Sequence, residues 1–285
     1  MQTKLQPIPV PNPVILSVRS LSLHYFQKTV FERRIPVTAL TSVSLDLQRG
    51  KTLALVGPSG CGKSSLARCL VLLERPSFGE IVYAGQNLLE LKSKELKEAR
   101  RDIHLIFQDS ASALNPGMTI EEVLVEPLEI HEPTLAKKDR FLRLVSACEQ
   151  AALSSKWLTR RPSELSGGQR QRVAIARSLI SRPKILILDE ALSALDLSTQ
   201  SQIVNLLLDL QREHALTFLF ITHDTRLARM LAHNVVAMRA GRILDSPPSS
   251  LLTPDIHAKP ASIGSISTAT DTENIRLQEI PSVNE

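Results

Sequence analysis

The sequence predicts an α/β fold built on a mostly parallel sheet. Three observations carry this. First, the short apolar runs in "KTLALVG", "PKILILDE" and "ALTFLFITH" lack polar alternation, as strands covered on both faces do. Second, helix-like stretches separate those runs, the order that a parallel sheet with crossover helices requires. Third, the glycine-rich segment "GPSGCGKSS" (57–65) joins one such strand to a helix.

The elements follow in order. Residues 1–13 are Pro-rich and read as a loose arm. "VILSVRSLSLHYF" and "TALTSVSLDLQ" alternate in part, as half-buried strands do. "QKTVFERRIPV" between them reads as a polar loop. "KTLALVG" is a strand, "KSSLARCLVLL" a helix, and "GEIVYAG" and "RDIHLIFQD" are further strands. From about 119 to 160 the pattern turns helical, in "TIEEVLVEPLEI" and "AKKDRFLRLVSACEQAAL", and a helical subdomain is expected over about 112–180. In its last helix Val173, Ala176 and Ile180 share a face. "PKILILDE" is a buried strand, "TQSQIVNLLLDLQREH" a helix, "ALTFLFITH" a strand, "DTRLARMLA" a helix, and "NVVAMRAGRIL" a strand with a turn. The main domain is expected over 14–245. Residues 246–285 are polar and acidic and read as a disordered tail. No internal repeat occurs.

Composition narrows the classes. The 285 residues are 43% hydrophobic and 22% charged, as in a soluble globular chain of one large domain or two modest ones. Aromatics are only 4%, so no stacking platform for single-stranded nucleic acid is visible. The net charge of +5 is dispersed and reads as a solvated surface. Cys61, Cys69 and Cys148 are odd in number and unclustered, which suggests a reducing compartment and neither a disulfide frame nor a zinc site. No run approaches the roughly 20 apolar residues of a membrane span, and the N-terminus lacks a signal-peptide core. A cytosolic chain is the expectation.

The segment 57–65 fills every fixed position of G-x-x-x-x-G-K-[ST]: Gly57, Gly62, Lys63 and Ser64. Glycines let backbone amides reach phosphate oxygens. Lys63 offsets β/γ-phosphate charge, and Ser64 presents a hydroxyl to Mg²⁺. Pro58, Ser59, Gly60 and Cys61 occupy variable positions where the backbone binds, and Ser65 follows. "KILILDE" delivers Asp189 as a hard oxygen for Mg²⁺ and Glu190 as a group able to orient or deprotonate water. His223 ends the next strand; from position alone it is either structural or a donor to the γ-phosphate. A second helix start, "SELSGGQRQR" (163–172), also has the look of an anion site. One chain thus holds two phosphate-binding helix starts.

In order, "GPSGCGKSS", "FQD", "LSGGQ", "LILDE", "SALD" and "ITHD" resemble the motifs of ATP-binding cassette (ABC) ATPases over roughly residues 14–245. The resemblance implies a P-loop NTPase cassette with a mostly parallel core sheet, an N-terminal antiparallel β subdomain and a helical subdomain carrying "LSGGQ". It implies ATP and Mg²⁺ as ligands. By resemblance, Gly57 to Ser65 form the nucleotide loop. Gln108 senses the γ-phosphate and Mg²⁺, and Asp189 serves the Mg²⁺ site. Glu190 is the catalytic carboxylate, His223 the switch histidine, and Asp196 couples two sites. Tyr25 in "LHYF" is similar to the aromatic that stacks on adenine, with Phe26 as its rival. Ser166, Gly167, Gly168 and Gln169 would approach the ATP of an opposing subunit, which resolves the two helix starts: each chain supplies half of each of two sites.

Within the class, "FQDSASALNP" and the long loop between Tyr25 and Val37 resemble the nickel/dipeptide/oligopeptide importer branch. "LDEALSALDL" and "ITHDTRLAR" look closest to the second ATPase subunit of nickel importers. The tail holds "TPDIHAKP" (253–260) where the oligopeptide pattern has a histidine-proline-tyrosine element. The resemblance implies a hydrolysing importer subunit on the cytoplasmic face of the cell's inner membrane. Its partners would be a second ATPase subunit (a heterodimer is favoured over a homodimer), two transmembrane permeases and, indirectly, a solute-binding protein, with no nucleic acid. Nickel and small peptides stand as alternative cargoes. An exporter or lipoprotein-release ATPase is the rival, and a chromosome-maintenance ATPase would need coiled-coil heptads that are absent here.

Overall fold

The computed structural model describes residues 14–28, 34–109 and 113–244. The expected arm (1–13) and tail (246–285) lie outside the described residues. In chain order the elements are β1 (Val14–Lys28), β2 (Arg34–Gln48), β3 (Thr52–Val56), α1 (Lys63–Leu70), β4 (Phe78–Tyr83), β5 (Gln86–Asn87), α2 (Ser93–Asp102) and β6 (Ile103–Ile106). Then come α3 (Ile120–His131), α4 (Lys137–Gln150), α5 (Gly167–Leu179), β7 (Ile185–Asp189), α6 (Leu197–His214), β8 (Thr217–Thr222), α7 (Thr225–Leu231), β9 (Asn234–Arg239) and β10 (Arg242–Ile243).

Two sheets form. The order β2-β1-β4-β5 is antiparallel throughout. The order β10-β9-β3-β8-β7-β6 is parallel except for the β9–β10 hairpin. The apolar runs read as doubly covered strands are buried at every position in β3, β7 and β8. Their side chains divide by the strand period of two. Leu186, Leu188, Phe218 and Phe220 pack toward the helices α3–α6. Ile185, Ile187, Leu219 and Ile221 pack toward the antiparallel sheet and α1. The parallel sheet is thus the middle layer of three. Val173, Ala176 and Ile180 are buried together, as their spacing requires.

Two local readings need correction. The segment 27–37 is not one loop: β1 runs to Lys28 and β2 starts at Arg34, with those two residues paired. Ladder hydrogen bonds to the adjacent strand override the polar composition. "RDIHLIFQD" is not strand throughout, because α2 extends to Asp102 and only Ile103–Ile106 pairs with β7. Asp102 is held there by the Tyr83 hydroxyl and Lys184 Nζ, each 2.7 Å from Oδ2. That junction ties the antiparallel sheet, α2 and the start of β7 together.

Topology sets the site. β8 lies between β3 and β7, with Val56 level with Thr222 and Asp189 level with Ile221. The phosphate loop, Asp189–Glu190 and His223 therefore leave the same edge of the sheet within about one residue of each other. Ligands of open α/β sheets bind outside the carboxyl ends of the strands.

Candidate active site

A cleft of about 510 Å³ opens at that edge. Its walls are Tyr25, Val37, Thr38 and Ala39 from the antiparallel sheet, Ser59, Gly60, Gly62, Lys63, Ser64 and Ser65 from the loop and α1, and Gln108, Glu190, Ala240 and Gly241. Gly62 has φ 109°, and a Cβ there would lie 2.6 Å from the Ala39 carbonyl oxygen. A Cβ on Gly57 would lie 2.3 Å from the Met238 carbonyl oxygen. The loop is clamped between two strands, and only glycine fits at both places. The Gly241 amide also donates to the Cys61 carbonyl at 2.9 Å. The Cys61 thiol is buried, leaving its backbone to the loop.

Lys63 is buried and its Nζ donates to the carbonyls of Gly57 (2.9 Å) and Pro58 (3.0 Å). Nζ also lies 3.7 Å from Glu190 Oε1. α1 begins on Gly62 with no side-chain cap and no acid in its first turn. Its first amides are open to an anion, and the helix dipole favours one.

Asp189 is buried at the end of β7, and its Oδ1 has no hydrogen-bond partner. Burial pushes its pKa up, the Ser64 hydroxyl pulls it down, the Glu190 charge pushes it up, and Arg68 and Lys63 pull it down; the net direction is up. A buried carboxylate oxygen without a partner, beside a serine hydroxyl, fits the donor set of a hard divalent cation. Glu190 follows in the left-handed backbone region (φ 48°), its amide donating to the Ile221 carbonyl at 3.0 Å. Its Oε2 lies 3.3 Å from His223 Nδ1. Glu190 is mostly buried, while His223 is 54% exposed.

Tyr25 lines the cleft and Phe26, 66% exposed, does not. The Tyr25 hydroxyl lies 3.2 Å from Ser65 Oγ and donates to Glu74. Burial first, and then the Glu74 bond, raise its pKa against the opposing Ser65 bond.

The ABC transporter family model matches residues 40–193, more than half of the chain. The chain belongs to the ABC transporter family. It is 39% identical over 276 residues to a probable peptide ABC transporter ATP-binding protein, y4tS, of Sinorhizobium fredii, spanning 94% of this chain and 78% of that protein. It is 44% identical over 232 residues to the nickel import ATP-binding protein NikE of Shigella boydii, spanning 81% and 86%. Among solved structures it resembles the dimeric ATP-binding cassette MJ0796 in a post-hydrolysis state bound to ADP and Pi, with TM-score 0.71 and 30% identity over 80% of this chain and 96% of that one.

In this ABC cassette the remaining motif residues stand apart from the cleft. Ser166 caps α5: its Oγ accepts from the Gln169 amide (3.4 Å), and Gln169 Oε1 accepts from the Ser166 amide (2.9 Å). Gly167 and Gly168 open the helix, with no acid in its first turn. Asp196 caps α6, accepting from the Thr199 amide (2.9 Å) and hydroxyl (2.7 Å), and those bonds hold its carboxyl below the usual range. Neither group lines the cleft around this chain's own phosphate loop. The two helix starts pack closely: a Cβ on Gly168 would meet Cγ2 of Thr199, the residue that Asp196 caps, at 2.5 Å. Sequence reasoning missed Val37, Thr38, Ala39, Ala240 and Gly241 in the cleft wall. The glycine in "RAGRI" is the one local signal that could have pointed there.

Proposed function

We propose that this ATP-binding chain is the hydrolysing subunit of an importer, coupling ATP binding and hydrolysis to uptake of nickel or a small peptide through separate membrane subunits. The observation that carries the reading is the convergence of Lys63, Glu190, His223 and the orphaned Asp189 oxygen at one sheet edge, in a chain so similar to nickel and peptide cassettes.

In this reading the ATP phosphates lie along the loop from Gly57 to Ser65, on the open amides of α1. Lys63 exchanges its loop carbonyls for β/γ-phosphate oxygens. Tyr25 stacks on adenine. Ser64, Gln108 and Asp189 would hold Mg²⁺, which neutralises phosphate charge when bound. Glu190 orients a water in line with the γ-phosphorus and takes its proton. The new O–P bond forms as the bond to the β–γ bridging oxygen breaks, and that oxygen leaves on ADP. His223 donates to the γ-phosphate oxygens. Lys63 and His223 offset the charge that develops, the kind of fixed stabilisation that supplies much of catalysis.

Ser166–Gln169 would meet the γ-phosphate bound by a second ATPase subunit, with Asp196 coupling the two sites. A heterodimer is favoured because nickel and dipeptide systems pair two different ATPases. Among the described residues no helix is long and apolar enough to cross a membrane. The subunit would sit on the cytoplasmic membrane face, held by two permeases that a solute-binding protein feeds. Residues 14–245 would form the cassette, with about 112–180 as its helical part.

Uptake of radioactive nickel and of labelled dipeptide in cells lacking the gene tests this. Loss of one, restored by the wild-type gene, supports the reading and identifies the cargo; unchanged uptake of both refutes the importer assignment.

A further inference from the structure

Glu74 belongs to none of the motifs above and does not line the cleft. It lies just past α1, and its carboxylate accepts the Tyr25 hydroxyl proton from 49 residues away. Arg68, in the last turn of α1, grips the same carboxylate at 3.3 Å. Ser65, in the first turn of α1, meets the tyrosine hydroxyl from the other side. The far end of the Tyr25 ring is therefore tied twice to the helix that carries the phosphate loop.

We propose that Glu74 is a positioning residue for adenine nucleotides, acting through Tyr25 to fix the ring over the cleft at a set distance from the phosphate loop. This rests on the reading of Tyr25 as the base-stacking residue. The physical case is preorganisation. A ring anchored only through its own strand must be ordered when a base stacks on it, and affinity falls by that cost. A base and a triphosphate also bind at two points, so the ring must stay in register with the loop. The bond to Glu74 is charge-assisted, whereas the Arg68 pair is partly exposed and acts only through Glu74, so the Glu74 bond carries most of the effect. The Tyr25 hydroxyl, protonated at neutral pH like any tyrosine, has its pKa raised further, first by burial, so it remains a donor.

The test is the dissociation constant of Mg·ADP for the full chain, measured by calorimetry. Tyr25→Ala removes the ring and is expected to weaken binding about tenfold or more. Glu74→Ala is expected to weaken it about three- to tenfold. Glu74→Gln, whose amide oxygen still accepts the hydroxyl, should recover to within about twofold of wild type. Tyr25→Phe, which also cuts the Ser65 link, should weaken binding at least as much as Glu74→Ala, and the double variant should be no weaker than Tyr25→Phe alone, since the hydroxyl is the one group both links use. In the assembled transporter the Glu74→Ala loss should fall on KM for ATP rather than on kcat. A merely structural role for Glu74 would lower the melting temperature without moving the dissociation constant. If Tyr25→Ala weakens binding while Glu74→Ala and Tyr25→Phe do not, the positioning role is refuted. If Tyr25→Ala itself binds normally, the stacking reading fails and the proposal falls with it. Should Glu74→Ala not fold, Tyr25→Phe reads the same link from the other end.

Discussion

Asp189→Asn should stabilise the fold while it disables the site. The Asp189 carboxyl is buried, one oxygen has no partner, and burial with the nearby Glu190 charge outweighs the help from Ser64, Arg68 and Lys63. A carboxyl whose pKa is raised on folding binds its proton more tightly in the native state. Ionising it therefore costs stability, and that cost sets in as pH rises from the unfolded aspartate pKa to the folded one. Asparagine keeps the shape and removes the charge. An unsatisfied buried group costs about 1–3 kcal/mol, and the amide leaves its own polar atoms to be satisfied, so a gain of about 1 kcal/mol is expected. For a domain of this size that is about 2–4 °C in melting temperature. The assay is scanning calorimetry at pH 7 without nucleotide or magnesium, then with Mg·ATP. Asp189→Asn should melt higher than wild type in the first condition and gain less than wild type in the second. The gap in the first condition should close as the pH falls below the ordinary aspartate value of about 4, where the wild-type carboxyl becomes protonated in both states. A variant that melts lower than wild type at pH 7, or a gap that widens in acid, would refute the reasoning.

Two further substitutions probe the loop and the second helix start. Gly62→Ala forces a Cβ into the left-handed region and to 2.6 Å from a backbone oxygen, so a loss of at least about 1–3 kcal/mol is expected in denaturant unfolding, together with loss of Mg·ATP binding; near-wild-type values for both would contradict the clamped-loop geometry. Ser166→Ala removes the cap of α5, and in a complex carrying it on one ATPase subunit, nucleotide crosslinking should fall at the partner's phosphate loop; a loss confined to the mutated chain's own loop would rule out action in trans.

Contiguous chemistry was legible in the sequence and assembled contacts were not. "GPSGCGKSS" states its loop and helix start because glycine spacing and flanking apolar residues are local signals. "KILILDE" and "ALTFLFITH" state their strands because burial on both faces leaves continuous apolar runs. The choice of Tyr25 over Phe26 at the cleft was not legible, since alternation along a strand with register shifts does not fix which neighbour points inward. α2 escaped because "SKELKEARR" has a single buried alanine and its C-terminal aspartate for a core face. The Glu74–Tyr25 link joins residues 49 apart, and Thr199 sits under Gly168 from 31 residues away. Nothing within either segment encodes such a meeting; only the packing of β1 on α1 and of α5 on α6 creates it.

The central claim is that Glu190 performs hydrolysis in a site completed by a second subunit. It is tested most directly by the steady-state ATPase rate of the assembled transporter carrying Glu190→Gln. The variant should bind ATP, hold the two ATPase subunits together and turn over at least about a hundredfold more slowly than wild type. Hydrolysis at the wild-type rate would contradict the assignment.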